Sequence, residues 1–229
     1  MSKEISLEEI KTFWPKNAPD IKNIPKYIAK YKKEKIVIKY GGNVLIDRNI
    51  FNNFIEDINI LNKLGLSIVI VHGGGPRIKR ELDKKKIVSK FINGLRVTDK
   101  SIVNIIEKVL IDFNNDIVNS LKKLGSEAAS FHTKNDNIIE VEPEREELGF
   151  VGIPEKINTN LIEDALSNNR IPIIAPLGLG KNNQTFNING DTAASAIAKK
   201  LKARRLILMT NVEGVYDDKK NLISEIKPF

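Results

Sequence analysis

Glycines gather at three points where a short run of branched apolar residues ends. Lys35–Tyr40 runs into Gly41-Gly42, Ser67–His72 into Gly73-Gly74-Gly75, and Ile171–Pro176 into Gly178 and Gly180. A glycine turn between a strand and a helix lets main-chain N–H groups approach an anion unobstructed, and the amino end of the next helix adds positive potential. The plainer reading is that such turns need glycine anyway. Lys39 lies inside Ile36-Val37-Ile38-Lys39-Tyr40. An ammonium in a buried strand loses hydration unless it faces an anion near the strand end; otherwise it is a lysine snorkelling from an exposed terminus. Asp191, between Asn187-Ile188-Asn189-Gly190 and Thr192-Ala193-Ala194, is on local grounds either an ordinary helix N-cap or a functional carboxylate. Arg96, in Asn93-Gly94-Leu95-Arg96-Val97-Thr98-Asp99, offers a planar fork to a carboxylate or is simply solvated. A set made of amides, an ammonium and a guanidinium suits the holding of anionic groups.

Other nucleotide and hydrolase signatures fail. Gly180-Lys181 lacks the upstream Gly and downstream Ser/Thr of a phosphate-binding P-loop, and neither G-x-G-x-x-G nor G-x-S-x-G occurs. His72 and His132 stand alone, so no metal site is expected and neither is given a catalytic role.

Alternating strands and helices must position these groups. The runs Lys35–Tyr40, Ser67–His72, Ala128–Thr133, Ile171–Pro176 and Arg205–Thr210 read as strands buried on both faces. Helical periodicity separates them: Phe51, Phe54, Ile55, Ile58, Leu61; Ile102, Ile105, Ile106, Val109, Leu110, Phe113; and Ala194, Ile197, Ala198, Leu201. Hairpin-like stretches at Ile138–Glu142 with Gly149–Gly152, and at Gln184–Ile188, interrupt the alternation. The expected fold is α/β, an open and mainly parallel sheet sandwiched between helices, with ligands at the carboxyl ends of the strands. Ahead of it, Ser6-x-x-Glu9 has capping-box spacing, and Ile24, Tyr27, Ile28 and Tyr31 form the stripe of an amphipathic helix. That stripe either docks on its own core or pairs with another subunit.

Composition sets the bounds. The chain has 229 residues, 41% hydrophobic and 29% charged, as in a folded globular protein. No apolar run approaches the ~20 residues of a membrane span. Cysteine is absent, which removes disulfides and thiol chemistry, and the first residues lack a secretory apolar core; a cytoplasmic location is expected. The net charge of +8 is concentrated early, with ten lysines against five acidic residues in the first forty positions. With aromatics at only 6%, nucleic acid is not the expected partner.

Six segments taken together resemble one family. Ile38-Lys39-Tyr40-Gly41-Gly42-Asn43, Val71-His72-Gly73-Gly74-Gly75-Pro76, Asn93–Asp99, Leu148-Gly149-Phe150-Val151-Gly152, Asn187–Ala194 and Thr210-Asn211-Val212-Glu213-Gly214-Val215 are similar, in order, to the N-acetyl-L-glutamate kinases of the amino-acid kinase superfamily. The resemblance implies the amino-acid kinase fold and ATP-dependent phosphorylation of the γ-carboxylate of N-acetyl-L-glutamate, a step of arginine biosynthesis. It implies that Lys39 stabilises charge on the transferring phosphoryl group, that Asp191 orients lysines, and that Gly42 and Gly74 hold phosphoryl oxygens. Gly73, Gly74, Arg96 and Asn187 would bind acetylglutamate. Lys39, Gly41, Gly42, Thr210, Asn211, Gly214 and Tyr216 would line the nucleotide site, with Mg²⁺ carried on ATP. A carboxylate is already a nucleophile, so alignment and charge stabilisation suffice.

The same resemblance divides the chain into a helical extension at 1–33, an acetylglutamate-binding and dimerisation lobe at 34–190, and the start of an ATP-binding lobe at 191–229. It implies a homodimer, for the complete protein a hexamer through the amino-terminal helix, and an arginine effector. Three departures stand out: Gly190 where family patterns have Ala, Asn211 where they have Asp, and no Gly-Met-x-x-Lys segment before Phe229. The expectation is therefore a truncated member. A uridylate, carbamate or aspartate kinase of the superfamily, and a non-catalytic fragment that only binds ligand, stay open as alternatives.

Overall fold

The structure is a computed structural model that describes residues 6–16, 18–32, 34–41, 47–210 and 212–226. Two short helices, α1 (Leu7–Lys11) and α2 (Ile24–Tyr31), precede β1 (Lys35–Tyr40), α3 (Arg48–Lys63), β2 (Ser67–His72) and α4 (Gly75–Lys84). The hairpin β3 (Phe91–Ile92) and β4 (Leu95–Arg96) leads into the long α5 (Lys100–Lys123). Then come β5 (Ala128–Phe131), β6 (Ile139–Pro143), β7 (Gly152–Ile157), α6 (Thr159–Ser167), β8 (Ile171–Ile174), β9 (Leu177–Leu179) and β10 (Thr185–Asn187). The described chain closes with α7 (Gly190–Lys200), β11 (Arg205–Met209) and the hairpin β12 (Val215–Tyr216) and β13 (Leu222–Ile223).

The five expected strands form one parallel sheet in the order β11-β1-β2-β8-β5. Side chains on a strand alternate between faces, and β1 shows the consequence directly. Ile36, Ile38 and Tyr40 pack with Phe54, Ile55 and Ile58 of α3 and with Phe113, Ile117 and Leu121 of α5. Val37, on the other face, packs with Ala193, Ala194 and Ile197 of α7 and with Ile162 and Ala165 of α6. Lys39 shares the parity of Val37 and therefore emerges toward α7. His72 shares the parity of Ile68 and Ile70, which sit in the α3 and α5 layer.

The hairpin-like interruptions belong to a second, four-stranded sheet in the order β10-β9-β6-β7, in which β9 pairs antiparallel with β10 and β6 with β7. β11 departs from the expectation of burial on both faces: Leu206, Ile207 and Leu208 are exposed, so its faces are largely uncovered by the described residues, and it pairs only with β1 among them. The Ser6–Glu9 capping box forms as its spacing predicts. The stripe of α2 docks on the chain's own core, where Ile24 joins Ile10 and Leu64, flanked by Trp14 and Ile28. Tyr27 stays exposed.

Candidate active site

The carboxyl ends of β1 and β2 and the amino end of α7 meet at one place. Lys39 Nζ lies 3.0 Å from Asp191 Oδ1, and the two side chains are 10% and 53% exposed. The ammonium is thus buried along its stem and paired with a carboxylate that faces solvent, so the pair stands at a mouth rather than inside the core. Asp191 is released for this role by its neighbour. Asn189 caps α7, its side-chain oxygen accepting from the N–H groups of Asp191 at 2.9 Å and Thr192 at 3.1 Å. Asp191 is therefore not the N-cap, although its charge in the first turn still suits the positive end of the helix.

Glycines make room around the ammonium. A Cβ at Gly41 would stand 2.6 Å from both Cε and Nζ of Lys39, so a methyl there would push the ammonium aside while leaving the backbone in place. Gly190 is looser: an added Cβ meets Lys39 Cε at 3.6 Å, Gly73 Cα at 3.8 Å and the His72 carbonyl oxygen at 3.9 Å, all ordinary contacts. The departure from alanine at this position is sterically neutral, and the same distances show Lys39, Gly73 and α7 converging.

In the second glycine turn the Gly73 N–H donates to the Tyr40 carbonyl at 2.6 Å and is thereby used. Gly74, the N-cap position of α4, has a backbone N–H to which no described residue offers an acceptor, as expected for the open end of a helix. Its missing side chain is a packing requirement, since a Cβ would collide with Leu110 Cδ2 and stand 3.2 Å from Ile78 Cδ1. Tyr40, stacked on Phe54 with centroids 3.9 Å apart, floors this corner; burial drives its phenol up to about 12. The third glycine group differs from expectation. Gly178 lies within β9 and Gly180 just after it, where Cβ atoms would meet Val141 and Phe186, so these two glycines serve the packing of the second sheet.

Arg96 and Asn187 are joined by backbone. The Phe150 N–H donates to Thr98 O at 2.7 Å and the Asn187 N–H to Phe150 O at 2.9 Å. Gly149, at φ +67°, holds that crossing because a Cβ would lie 2.5 Å from Thr98 O. The Arg96 guanidinium stacks on Phe91, 4.7 Å from the ring centroid, donates to Ser89 Oγ, and borders a groove of about 510 Å³ shared with Lys79, Asp83 and Val88. Burial lowers its pKa while the Asp83 charge raises it. Thr210, Gly214 and Tyr216 follow β11, in an exposed stretch where Tyr216 Oη donates to Glu213 at 3.4 Å. The register Tyr40 with Met209 brings Gly41 and Thr210 out at the same sheet edge. Gly42 and Asn211 lie outside the described residues. A cavity of about 970 Å³ opens at the opposite, amino end of the strands, between α1, α2 and the start of β8, away from this chemistry.

Two groups near the site carry signals that spacing does not reveal. Burial alone would raise Glu107, but the hydroxyls of Thr133 and Thr185, 2.6 and 2.5 Å from its Oε1, and the charge of Lys134 hold its carboxyl below the usual range. Glu107 thereby clips α5 to β10, the strand of Asn187. His72 is fully buried, with Nδ1 2.9 Å from the Gly73 carbonyl oxygen and Nε2 3.2 Å from Asn114 Nδ2. Its Nε2 partner comes from α5, so sequence offered only a lone histidine.

Residues 34–228 match the amino acid kinase family. Over 219 residues the chain is 51% identical to the acetylglutamate kinase of Pelagibacter ubique, covering 96% of this chain and 76% of that protein. It is 43% identical to the acetylglutamate kinase of Clostridioides difficile, covering 87% of this chain and 72% of the relative. Among solved structures, a protein of Streptococcus mutans UA159 superposes with a TM-score of 0.70 at 34% identity, over 80% of this chain and 75% of that one. N-acetylglutamate synthase of Neisseria gonorrhoeae shares the fold, with a TM-score of 0.76 at 21% identity over 88% of this chain and 47% of that one.

Proposed function

The chain belongs to the amino acid kinase family, and from that premise we propose that it transfers the γ-phosphoryl group of ATP to the γ-carboxylate of N-acetyl-L-glutamate, as a kinase of arginine biosynthesis. The observation that carries the chemistry is the Lys39–Asp191 pair at 3.0 Å, set among Gly41, Gly73 and Gly190 where two strands and a helix end together. The acceptor follows from the relatives, which are named acetylglutamate kinase.

In this reading a carboxylate oxygen attacks the γ-phosphorus, the bond from that phosphorus to the β,γ-bridging oxygen breaks, and ADP leaves with the electron pair. The product is an acyl phosphate, and no proton need move. Charge that accumulates on the transferring oxygens is met by the Lys39 ammonium and by the Gly74 N–H, both fixed before substrate arrives. Asp191 holds the ammonium at the mouth. Gly42 joins Gly74 on the phosphoryl oxygens, Gly73 lines the acceptor pocket, and Arg96 and Asn187 receive the acetylglutamate carboxylate. Gly41, Thr210, Asn211, Gly214 and Tyr216 border ATP, which brings Mg²⁺ on its phosphates as part of the substrate.

The acceptor side takes residues 34–190 and the nucleotide side residues 191–229. We place the enzyme in the cytoplasm as a homodimer, with α2 and its exposed Tyr27 linking dimers into a hexamer in the complete protein and arginine as an effector. Incubation with ATP and N-acetylglutamate, glutamate, aspartate or UMP, with hydroxylamine to trap acyl phosphate, tests the function. Hydroxamate formed preferentially from N-acetylglutamate is expected; turnover of UMP instead, or acetylglutamate binding without ADP release, overturns it.

A further inference from the structure

We propose that His72 is a positioning residue for phosphoryl transfer, one that fixes the Gly73–Gly74 peptide so that the Gly74 N–H is presented to the transferring group. The inference rests on the reading given above, in which that N–H binds a phosphoryl oxygen.

The tether begins two elements away, at a main-chain carbonyl that can only accept. Asn114 on α5 is fully buried, and its Nδ2 lies 3.0 Å from Ile173 O of β8 while its Oδ1 accepts from Ser130 Oγ at 2.6 Å. The carbonyl of Ile173 requires a donor, which settles the orientation of the amide. The same Nδ2 lies 3.2 Å from His72 Nε2. Nε2 therefore accepts, and the ring proton resides on Nδ1. Nδ1–H then donates to the Gly73 carbonyl oxygen at 2.9 Å. The edge of the ring is further held by Phe113, at 5.0 Å between centroids and 82° between planes.

A trans peptide places its C=O and N–H on opposite sides of one plane. Pinning the Gly73 oxygen toward the α5 layer, where His72 points, turns the Gly74 N–H the other way, toward the layer of Lys39 and Gly190. The flanking bonds complete the constraint: Gly73 N–H donates to Tyr40 O, and Gly74 O accepts from Ile78 N at 2.8 Å. Glycine has no side chain to bias its own torsions, so a loop of three glycines needs an outside tether, and the chain Ile173–Asn114–His72–Gly73 supplies it. Burial also holds the imidazole neutral at physiological pH, with its pKa lowered to about 4, so the ring keeps one N–H and one acceptor.

The first test is spectroscopic and uses the unmodified protein. With ¹⁵N-labelled histidine, the His72 signals should report the Nδ1–H tautomer; the Nε2–H tautomer would overturn the relay whatever the enzyme's activity. The second test compares His72→Leu, which removes the donor, with His72→Asn, whose amide can reach the Gly73 carbonyl. Expected is a loss in kcat of about 10²-fold for His72→Leu, with the KM for acetylglutamate held within about 3-fold and most of kcat recovered in His72→Asn. Equal kcat in His72→Leu and the parent, equal losses in both variants, or a KM rise matching the kcat loss each refute positioning. If the parent itself does not phosphorylate acetylglutamate, the functional reading fails and takes this inference with it; an active parent with an indifferent His72→Leu variant defeats the inference alone.

Discussion

The Lys39–Asp191 pair is asymmetric, and the asymmetry can be used. Lys39 is 8% exposed, while the side chain of Asp191 is 53% exposed. Lys39→Met keeps the length of the buried stem and deletes the charge, leaving a carboxylate that water already reaches. That variant should change stability by less than about 1 kcal/mol. Asp191→Asn does the reverse and strands a buried ammonium. Removal of one partner from a fully buried pair costs about 3–5 kcal/mol; with one partner half in solvent, a loss of about 1–2 kcal/mol is expected. Turnover should rank the two the other way. Loss of the ammonium removes a fixed charge from the transition state, worth about 10²–10³-fold in kcat by analogy with single oxyanion donors, while Asp191→Asn leaves that charge present and loosely held. Urea unfolding gives the stabilities, and ADP release with titration of acetylglutamate separates kcat from KM. The reasoning is refuted if Lys39→Met is the less stable protein, or if acetylglutamate affinity falls in step with its turnover.

Two further outcomes follow from the second glycine turn. Gly74→Ala drives a methyl into Leu110 and Ile78, whereas nothing lies within 4 Å of a Cβ on Gly75; the first should lose about 1–3 kcal/mol and the second stay within about 0.5 kcal/mol in thermal or urea unfolding, and similar losses in both would refute the packing argument. His72 predicts a pH dependence: burial lowers its pKa from 6.5 to about 4, the bond to Gly73 opposes this, and the Arg77 and His132 charges add to it. The unfolded chain then binds a proton in that window that the folded chain does not, so stability falls as pH drops from 6.5 toward 4, by about 3 kcal/mol in all. His132 titrates in parent and variant alike, so in His72→Asn that part of the slope should vanish; unchanged urea midpoints against pH would refute it.

The parallel sheet was legible because β1, β2 and β8 are short runs dominated by isoleucine and valine, the form a doubly covered strand takes, with Lys39 as the exception inside β1. Two helices were not. α4 carries only Ile78 and Leu82 as buried residues in a run of charges, and α6 only Ile162 and Ala165, so neither shows a full stripe. The second sheet was read as a set of interruptions because its pairings join distant segments: Glu140 is opposite Leu179, a partner no local pattern announces. β11 looked buried because composition reports apolar content and not whether anything covers a strand's faces.

At the site, what sequence carried was the identity of the groups; what it withheld was which of two roles each plays. Asp191 was as good an N-cap as a partner for lysine until Asn189 was seen to hold the cap. Arg96 was a fork for a carboxylate or a solvated loop residue; it is set against Phe91 and Ser89, a preformed orientation from which a carboxylate can be met. His72 was read as a lone histidine outside any metal-binding cluster and given no catalytic role. Its meaning depends on Asn114, 42 residues away, and on Ile173 O, 59 residues beyond that. A side chain's acceptors and donors are distributed by topology, and a tautomer is fixed by the last partner in the line. The same holds for Glu107, whose two hydroxyl partners come from the turn after β5 and from β10. Motif spacing thus points to the residues proposed to meet the substrate, since the backbone segment carrying them is local. Residues that hold those segments still are found only where the fold closes the hydrogen bonds between elements.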